Sequence, residues 1–222
     1  MVTEPSNTRS RILAYPLGDA LYLNLTSACT LACTFCPKIR DDDWVVGGFD
    51  LKLTAPPSAG EVWQAAEDVG LAGRSEVVFT GLGEPTRRLD VLLDLTQRLK
   101  RAGVARVRLD TDGLASLREG RNVVPDLVAA GLDAVSVSLN AADAVTYARI
   151  CPSRFGEQAW HACRQFIREA VQAGLDVAAS FVELPGLSRE ACRTEAEALG
   201  ARFRWRPHDR LGRIDPSRAA TG

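Results

Sequence analysis

Three cysteines stand in the spacing Cys29-x-x-x-Cys33-x-x-Cys36. Soft thiolates select iron–sulfur clusters and zinc. Three of them on one short loop suit three irons of a cubane [4Fe-4S] cluster, whose fourth iron then has no protein ligand and is open to another molecule. Simpler uses compete. A structural zinc site takes four ligands, usually as two pairs; this loop offers three, and no further Cys or His lies near it in sequence. A disulfide framework belongs to small secreted domains. The chain has 222 residues and six cysteines, and its first twenty residues are polar and contain proline. No signal segment or membrane anchor is therefore expected, and a cytoplasmic location is. Of the remaining cysteines, Cys163 shares a helical stripe with Trp160, Ile167 and Val171, and Cys192 is in register with Ala196 and Leu199; both read as small buried apolar residues. Cys151, in Arg149-Ile-Cys-Pro152, reads either as structural or as facing an active site.

The elements that must position this loop follow from periodicity. Strands are expected at about Leu21–Thr26, Glu76–Gly81, Ala105–Asp110, Ala134–Asn140, Asp176–Glu183 and Arg202–Arg206. Helical patterns lie between them. Ser58-Ala-Gly-Glu61 is a capping box opening a helix to about Leu71. Leu89–Ala102 stops at Gly103, Pro125–Ala130 at Gly131 and Glu157–Ala173 at Gly174, while Ser188 caps a helix ending at Gly200. Such alternation implies a parallel sheet with right-handed crossovers. Six units are too few for a closed eight-fold barrel, so the expected fold is α/β, an open (βα)6 partial TIM barrel. Sites in such sheets lie at the C-terminal strand ends, where the cysteine loop falls. The expected organisation is an N-terminal extension at 1–19, a core at 20–208 and a short polar tail at 209–222. Within Asp41–Pro57, Val45–Leu53 reads as an extra strand or a lid.

Strand parity adds a second clue. Tyr22, Asn24 and Thr26 alternate with leucines; Arg108 and Asp110 with Val107 and Leu109; Ser136, Ser138 and Asn140 with Val135, Val137 and Leu139; Arg204 and Arg206 with Phe203 and Trp205. A parallel strand covered on both faces is apolar throughout. The recurring polar parity implies a polar lumen inside helix-covered strands. Hydrophobic content of 46%, charge of 25% and a net charge of −1 are ordinary globular values that give no electrostatic case for nucleic-acid binding.

These motifs together resemble the radical SAM superfamily. The cysteine triad follows the first strand, and an aromatic residue, Phe35, precedes its last member. Thr80-Gly-Leu-Gly-Glu-Pro-Thr86 resembles the Gly-Gly-Glu motif that closes the second strand in that family. Thr111-Asp-Gly113 and Val137-Ser-Leu-Asn140 resemble its third and fourth strand ends. More narrowly, Tyr22–Thr26, Phe79–Pro85, Val135–Ala142, Phe181–Gly186 and Arg204–Pro207 resemble the small radical SAM proteins associated with TatD-type nucleases, which suggests a link to such a nuclease.

The resemblance implies that Cys29, Cys33 and Cys36 hold a [4Fe-4S] cluster whose open iron chelates S-adenosylmethionine (SAM). An electron from a low-potential donor of flavodoxin or ferredoxin type breaks the sulfonium bond, and the resulting 5′-deoxyadenosyl radical takes hydrogen from a substrate. It also implies that Gly83 and Glu84 receive the methionine ammonium and Gly81 allows close backbone approach. Ser138 and Asn140 meet the ribose with help from Asp112, and the main chain around Phe35 meets adenine. Substrate residues are expected at Glu183 and Arg206, with Arg204 and His208 nearby. Arginines suit a carboxylate or phosphate, so an anionic substrate is one reading and pairing with Glu84, Asp110 or the SAM carboxylate is the other. An activase acting on a partner's glycine is a variant of the same chemistry. A non-catalytic iron–sulfur or zinc-binding module is the rival from another class; Gly83-Glu84 and the polar strand ends argue against it.

Overall fold

The structure, a computed structural model, describes residues 11–208. Seven strands form one sheet in the order β1 (Ala14–Leu17), β2 (Ala20–Asn24), β5 (Val77–Thr80), β6 (Val107–Thr111), β7 (Ala134–Ser138), β8 (Asp176–Val182), β9 (Arg202–Arg206). From β2 to β9 every pairing is parallel. All six strands expected from the sequence are present, and the architecture is the partial α/β barrel they implied.

The crossovers are α2 (Ala59–Val69), α3 (Leu89–Arg101), α5 (Val124–Ala130), α7 (Gln158–Gln172) and α8 (Arg189–Ala198). The Ser58–Glu61 box closes in both directions, with Glu61 N–H donating to Ser58 Oγ at 3.2 Å and Ser58 N–H to Glu61 Oε2 at 2.7 Å. In α3, Leu92, Leu95 and Leu99 are fully buried, three positions along one helical face. Cys163 and Cys192 are buried as read from their stripes. Three short helices lie outside the elements expected from periodicity: α1 (Pro37–Arg40), α4 (Ala115–Glu119) and α6 (Ala144–Ile150). The signal for α6 was Asp143, whose side chain caps it by accepting from Thr146 N–H at 2.8 Å.

One boundary differs from the expectation. β1 lies inside residues 1–19, set aside as an extension, and pairs antiparallel with β2. A two-residue turn, Gly18-Asp19 with Gly18 at φ 60°, joins them; this dipeptide between short apolar runs is a hairpin signal. Pro16 is tolerated because the strand sits at the sheet edge. The expected tail at 209–222 lies outside the described residues.

Val45–Leu53 does contain extra strand: β3 (Val45–Val46) pairs antiparallel with β4 (Phe49–Asp50). Tyr15, Val46 and Leu51 form a second buried cluster. It is tied to the barrel by Asn24, whose Nδ2 donates to Ile12 O and Leu51 O at 3.0 Å each. Among the described residues no helix is long and apolar enough to cross a membrane.

Candidate active site

A cavity of about 490 Å³ opens at the C-terminal strand ends, within the range that takes a small molecule. Its wall carries polar-parity residues read from the sequence, Tyr22, Arg108, Asp110, Ser136, Ser138, Arg204 and Arg206, and also Ser180 of β8. Apolar partners of opposite parity, such as Leu23, Leu109, Val137 and Phe181, are fully buried under the helices. All three cysteines of the triad line the cavity, with Phe35, Gly81, Gly83, Glu84, Asp112 and Asn140.

The cysteine loop is held from three sides. Glu84 N–H donates to Ala28 O at 2.9 Å, Ala32 N–H to Pro152 O at 2.8 Å and Thr34 N–H to Ile150 O at 2.9 Å. Arg118 of α4, absent from the sequence reading, links the loop to the Gly-Glu-Pro turn. It reaches Thr30 Oγ1 at 3.2 Å and Thr86 O at 2.6 Å. Gly83 has a packing role: a Cβ there would stand 2.0 Å from Thr26 O and 2.9 Å from Ala28 O. The glycine lets the second strand-end turn press against the base of the cysteine loop.

Glu84 is buried and braces the site. Its Oε1 accepts from Thr86 N–H at 3.0 Å, the Thr86 hydroxyl at 2.6 Å and the Thr111 hydroxyl at 2.8 Å; Oε2 accepts from Asp112 N–H at 2.7 Å. Asp112 is also buried, and its Oδ1 accepts from Leu114 N–H at 2.9 Å. Burial, then the neighbouring Glu84 charge, pushes its carboxyl up to about 8. Asp112 Oδ2 and Asn140 Oδ1 are buried with no hydrogen-bond partner in the protein. Both belong to residues that line the cavity, so two polar groups beside it lack a protein partner, a fit for a polar ligand there.

The thiols are similarly unfinished. Burial, then the Asp112 and Glu84 charges, pushes Cys29 up to about 12. A hydrogen bond with Cys151, then burial, raises Cys33, and burial raises Cys36. Held as thiolates, they require a compensating cationic centre. Among the described residues no group of three or more His, Cys, Asp or Glu side chains is placed to hold a single metal ion. In an iron–sulfur cluster each cysteine binds a separate iron, so the sulfurs need not converge on one atom. The donor set and the two free acceptors fit a cluster with a polar ligand beside it.

The cavity also carries cationic side chains. Arg206 is half-buried, and its Nε is buried without a partner. Burial, then Arg204, lowers its pKa. Arg204 reaches Ser136 Oγ at 3.4 Å. Arg108 is committed elsewhere, paired with Glu76 at 2.9 Å and with Asp110. Glu183, expected beside Arg206, is exposed and is not on the cavity wall. Ser180 occupies the lumen parity of β8, which turns Glu183 to the other face; only its backbone N–H meets Arg206, at O, 2.8 Å. His208 stands against Arg40 Nη1 at 3.3 Å.

A partial barrel with three thiols on the loop after its first parallel strand, rimming a polar cavity, defines a metallocofactor enzyme of the α/β class. The radical SAM superfamily model matches residues 23–197, and the chain belongs to that superfamily. Its cofactors are accordingly a [4Fe-4S] cluster and S-adenosylmethionine. A protein named "Probable GTP 3′,8-cyclase" from Saccharolobus islandicus (strain M.14.25 / Kamchatka #1) is 30% identical over 162 residues, 72% of this chain and 46% of that protein. The chain thus spans less than half the length of that relative. HydG, a maturase of the [FeFe]-hydrogenase, superposes with a TM-score of 0.61 at 14% identity, covering 85% of this chain and 42% of its own. The protein anSMEcpe with bound AdoMet and Cp18Cys peptide gives 0.57 at 13%, covering 84% and 49%. These two likenesses concern the fold.

Proposed function

We propose that this protein is a radical SAM enzyme that generates a 5′-deoxyadenosyl radical and uses it to take hydrogen from an anionic substrate. The observation that carries the reading is one cavity lined both by the three cysteines and by Asp112 and Asn140, each with a buried polar atom that no protein group satisfies. When bound, the cluster and SAM supply one-electron reductive cleavage to methionine and a 5′-deoxyadenosyl group that accepts a hydrogen atom.

The protein's part is placement. Cys29, Cys33 and Cys36 would hold the cluster. Gly83 and Glu84, beside the cysteine loop, make the anionic end of the cavity, suited to the methionine ammonium. Asn140 and Ser138 would take the ribose hydroxyls, Asp112 would help, and the main chain around Phe35 would take adenine. Gly81, at the end of β5, leaves the backbone open to the ligand. Arg204 and Arg206 bring positive charge to the cavity, and Arg206 would anchor a carboxylate or phosphate of the substrate. The name of the curated relative refers to a nucleoside triphosphate, which is itself polyanionic; the arginines support that chemical class and not that particular compound. A low-potential donor of flavodoxin or ferredoxin type would supply the electron. The link to a TatD-type nuclease rests on sequence stretches alone.

The test is anaerobic reconstitution with iron and sulfide, followed by SAM and dithionite. Release of 5′-deoxyadenosine and methionine is expected. A sample with an intact cubane that releases neither would refute the reading. The anionic class is tested by calorimetric titration of inorganic pyrophosphate into the SAM-loaded protein. Wild type should bind it, and Arg206→Ala should bind it more weakly with SAM affinity unchanged. If SAM affinity falls instead, the arginine belongs to the SAM carboxylate.

A further inference from the structure

Cys151 has no role in the function above, yet it stands against a cluster ligand. It follows α6, and the chain around it runs beside the cysteine loop. Ala32 N–H donates to Pro152 O at 2.8 Å and Thr34 N–H to Ile150 O at 2.9 Å. The Thr34 hydroxyl also reaches Ile150 O, at 3.3 Å. These bonds fall on either side of Cys33 and of Cys151, setting the two cysteines opposite one another with their thiols as neighbours. Behind Cys151 stands Asn140, whose Nδ2 donates to Cys151 Sγ at 3.4 Å. Asn140 is locked in place: it is buried, its φ is 55°, and its backbone N–H donates to Ser180 O at 3.1 Å. Its Oδ1 has no partner, and the residue lines the cavity.

We propose that Asn140, Cys151 and Cys33 form a hydrogen-bond relay through which a ligand in the cavity tunes the iron–sulfur cluster. With Cys33 bound to iron as a thiolate, the direction is fixed by donor supply. Asn140 N–H donates to the Cys151 sulfur, which turns the Cys151 S–H toward Cys33. A hydroxyl or amine that donates to Asn140 Oδ1 polarises the amide and strengthens both later bonds. Donors to a cluster sulfur withdraw charge and favour the reduced cluster, raising its potential. Cys151 is thus a positioning residue that acts through Cys33. The inference rests on the cluster assignment made under the proposed function.

The test is a redox titration followed by electron paramagnetic resonance on reconstituted protein, with and without SAM, alongside iron and sulfide analysis. Cys151→Ala and the near-isosteric Cys151→Val remove the donor; Cys151→Ser keeps one. With iron content unchanged, Ala and Val should give a more negative midpoint potential and a smaller response to SAM. Ser should stay close to wild type. Midpoints in Ala and Val equal to wild type would overturn the relay. Should Ala and Val lose iron, retention by Ser supports the donor, and loss in all three variants overturns it. A wild type that assembles no SAM-responsive cluster would instead sink the underlying functional reading, before any variant is compared.

Discussion

Replacing Gly83 with alanine isolates the contact that joins the two halves of the site. The new methyl group would sit 2.0 Å from Thr26 O, 2.8 Å from Thr26 C and 2.9 Å from Ala28 O. All three are backbone atoms, so no side-chain rotation relieves the clash. The 81–84 turn must retreat, which also breaks the 2.9 Å bond from Glu84 N–H to Ala28 O. Overpacking of this kind costs about 1–3 kcal/mol, and the lost hydrogen bond adds about 1 kcal/mol. A net loss near 3 kcal/mol lowers the melting temperature by roughly 6–12 °C for a chain of this size. Because the retreat takes away the support of residues 26–28, iron incorporation at Cys29 should fall as well. Gly60→Ala is the control, since a Cβ there meets nothing closer than 4.0 Å. Thermal unfolding and iron analysis under anaerobic conditions give both numbers. A Gly83→Ala protein with the melting temperature and iron content of wild type would refute the reasoning.

Three further outcomes follow from the same geometry. Glu84→Gln places an amide N–H₂ among four donors and should cost about 1–3 kcal/mol. Because it also removes the neighbouring charge that helps raise the Asp112 carboxyl, Asp112 should titrate lower, read by infrared difference spectroscopy. In cluster-free protein Asp112, at about 8 when folded against an ordinary 3.8, binds its proton more tightly in the folded state. Its contribution is therefore fully present at low pH and is lost as pH rises toward and through 8. Urea denaturation across that range should show the decline, and Asp112→Asn should flatten it. Arg206→Met keeps the length of the side chain while removing a buried unpartnered Nε and a lowered, crowded charge. Stability should rise by about 1 kcal/mol while pyrophosphate binding weakens. A variant no more stable than wild type would show that Arg206 carries no stability cost.

What could be read before the fold was known divides by the range of the interaction. Strand and helix periods, glycine stops and the Ser58 capping box are local, and each appears where the pattern put it. The polar parity of β6, β7 and β9 foretold the lumen because a pleated strand commits alternate residues to opposite faces. The cysteine spacing and the Gly-Glu-Pro turn pointed to both cofactors, since each motif is a run of neighbouring residues. Parity also had a limit: Glu183 was assigned by its place after β8, and the phase set by Ser180 turned it out of the cavity.

Only the tertiary structure could show that Glu84 spends its carboxylate bracing Thr86, Thr111 and Asp112, or that Arg118 ties Thr30 to Thr86. The same holds for Ile150–Pro152, which runs against the loop bearing Cys33. Each contact joins residues distant in sequence, and which distant groups meet depends on sheet order and crossover paths rather than on any local period. The sequence alone settled which chemistry the protein carries, through side chains close together in the chain. The packing of separate strand ends decided how that chemistry is held and which buried groups were left without a partner.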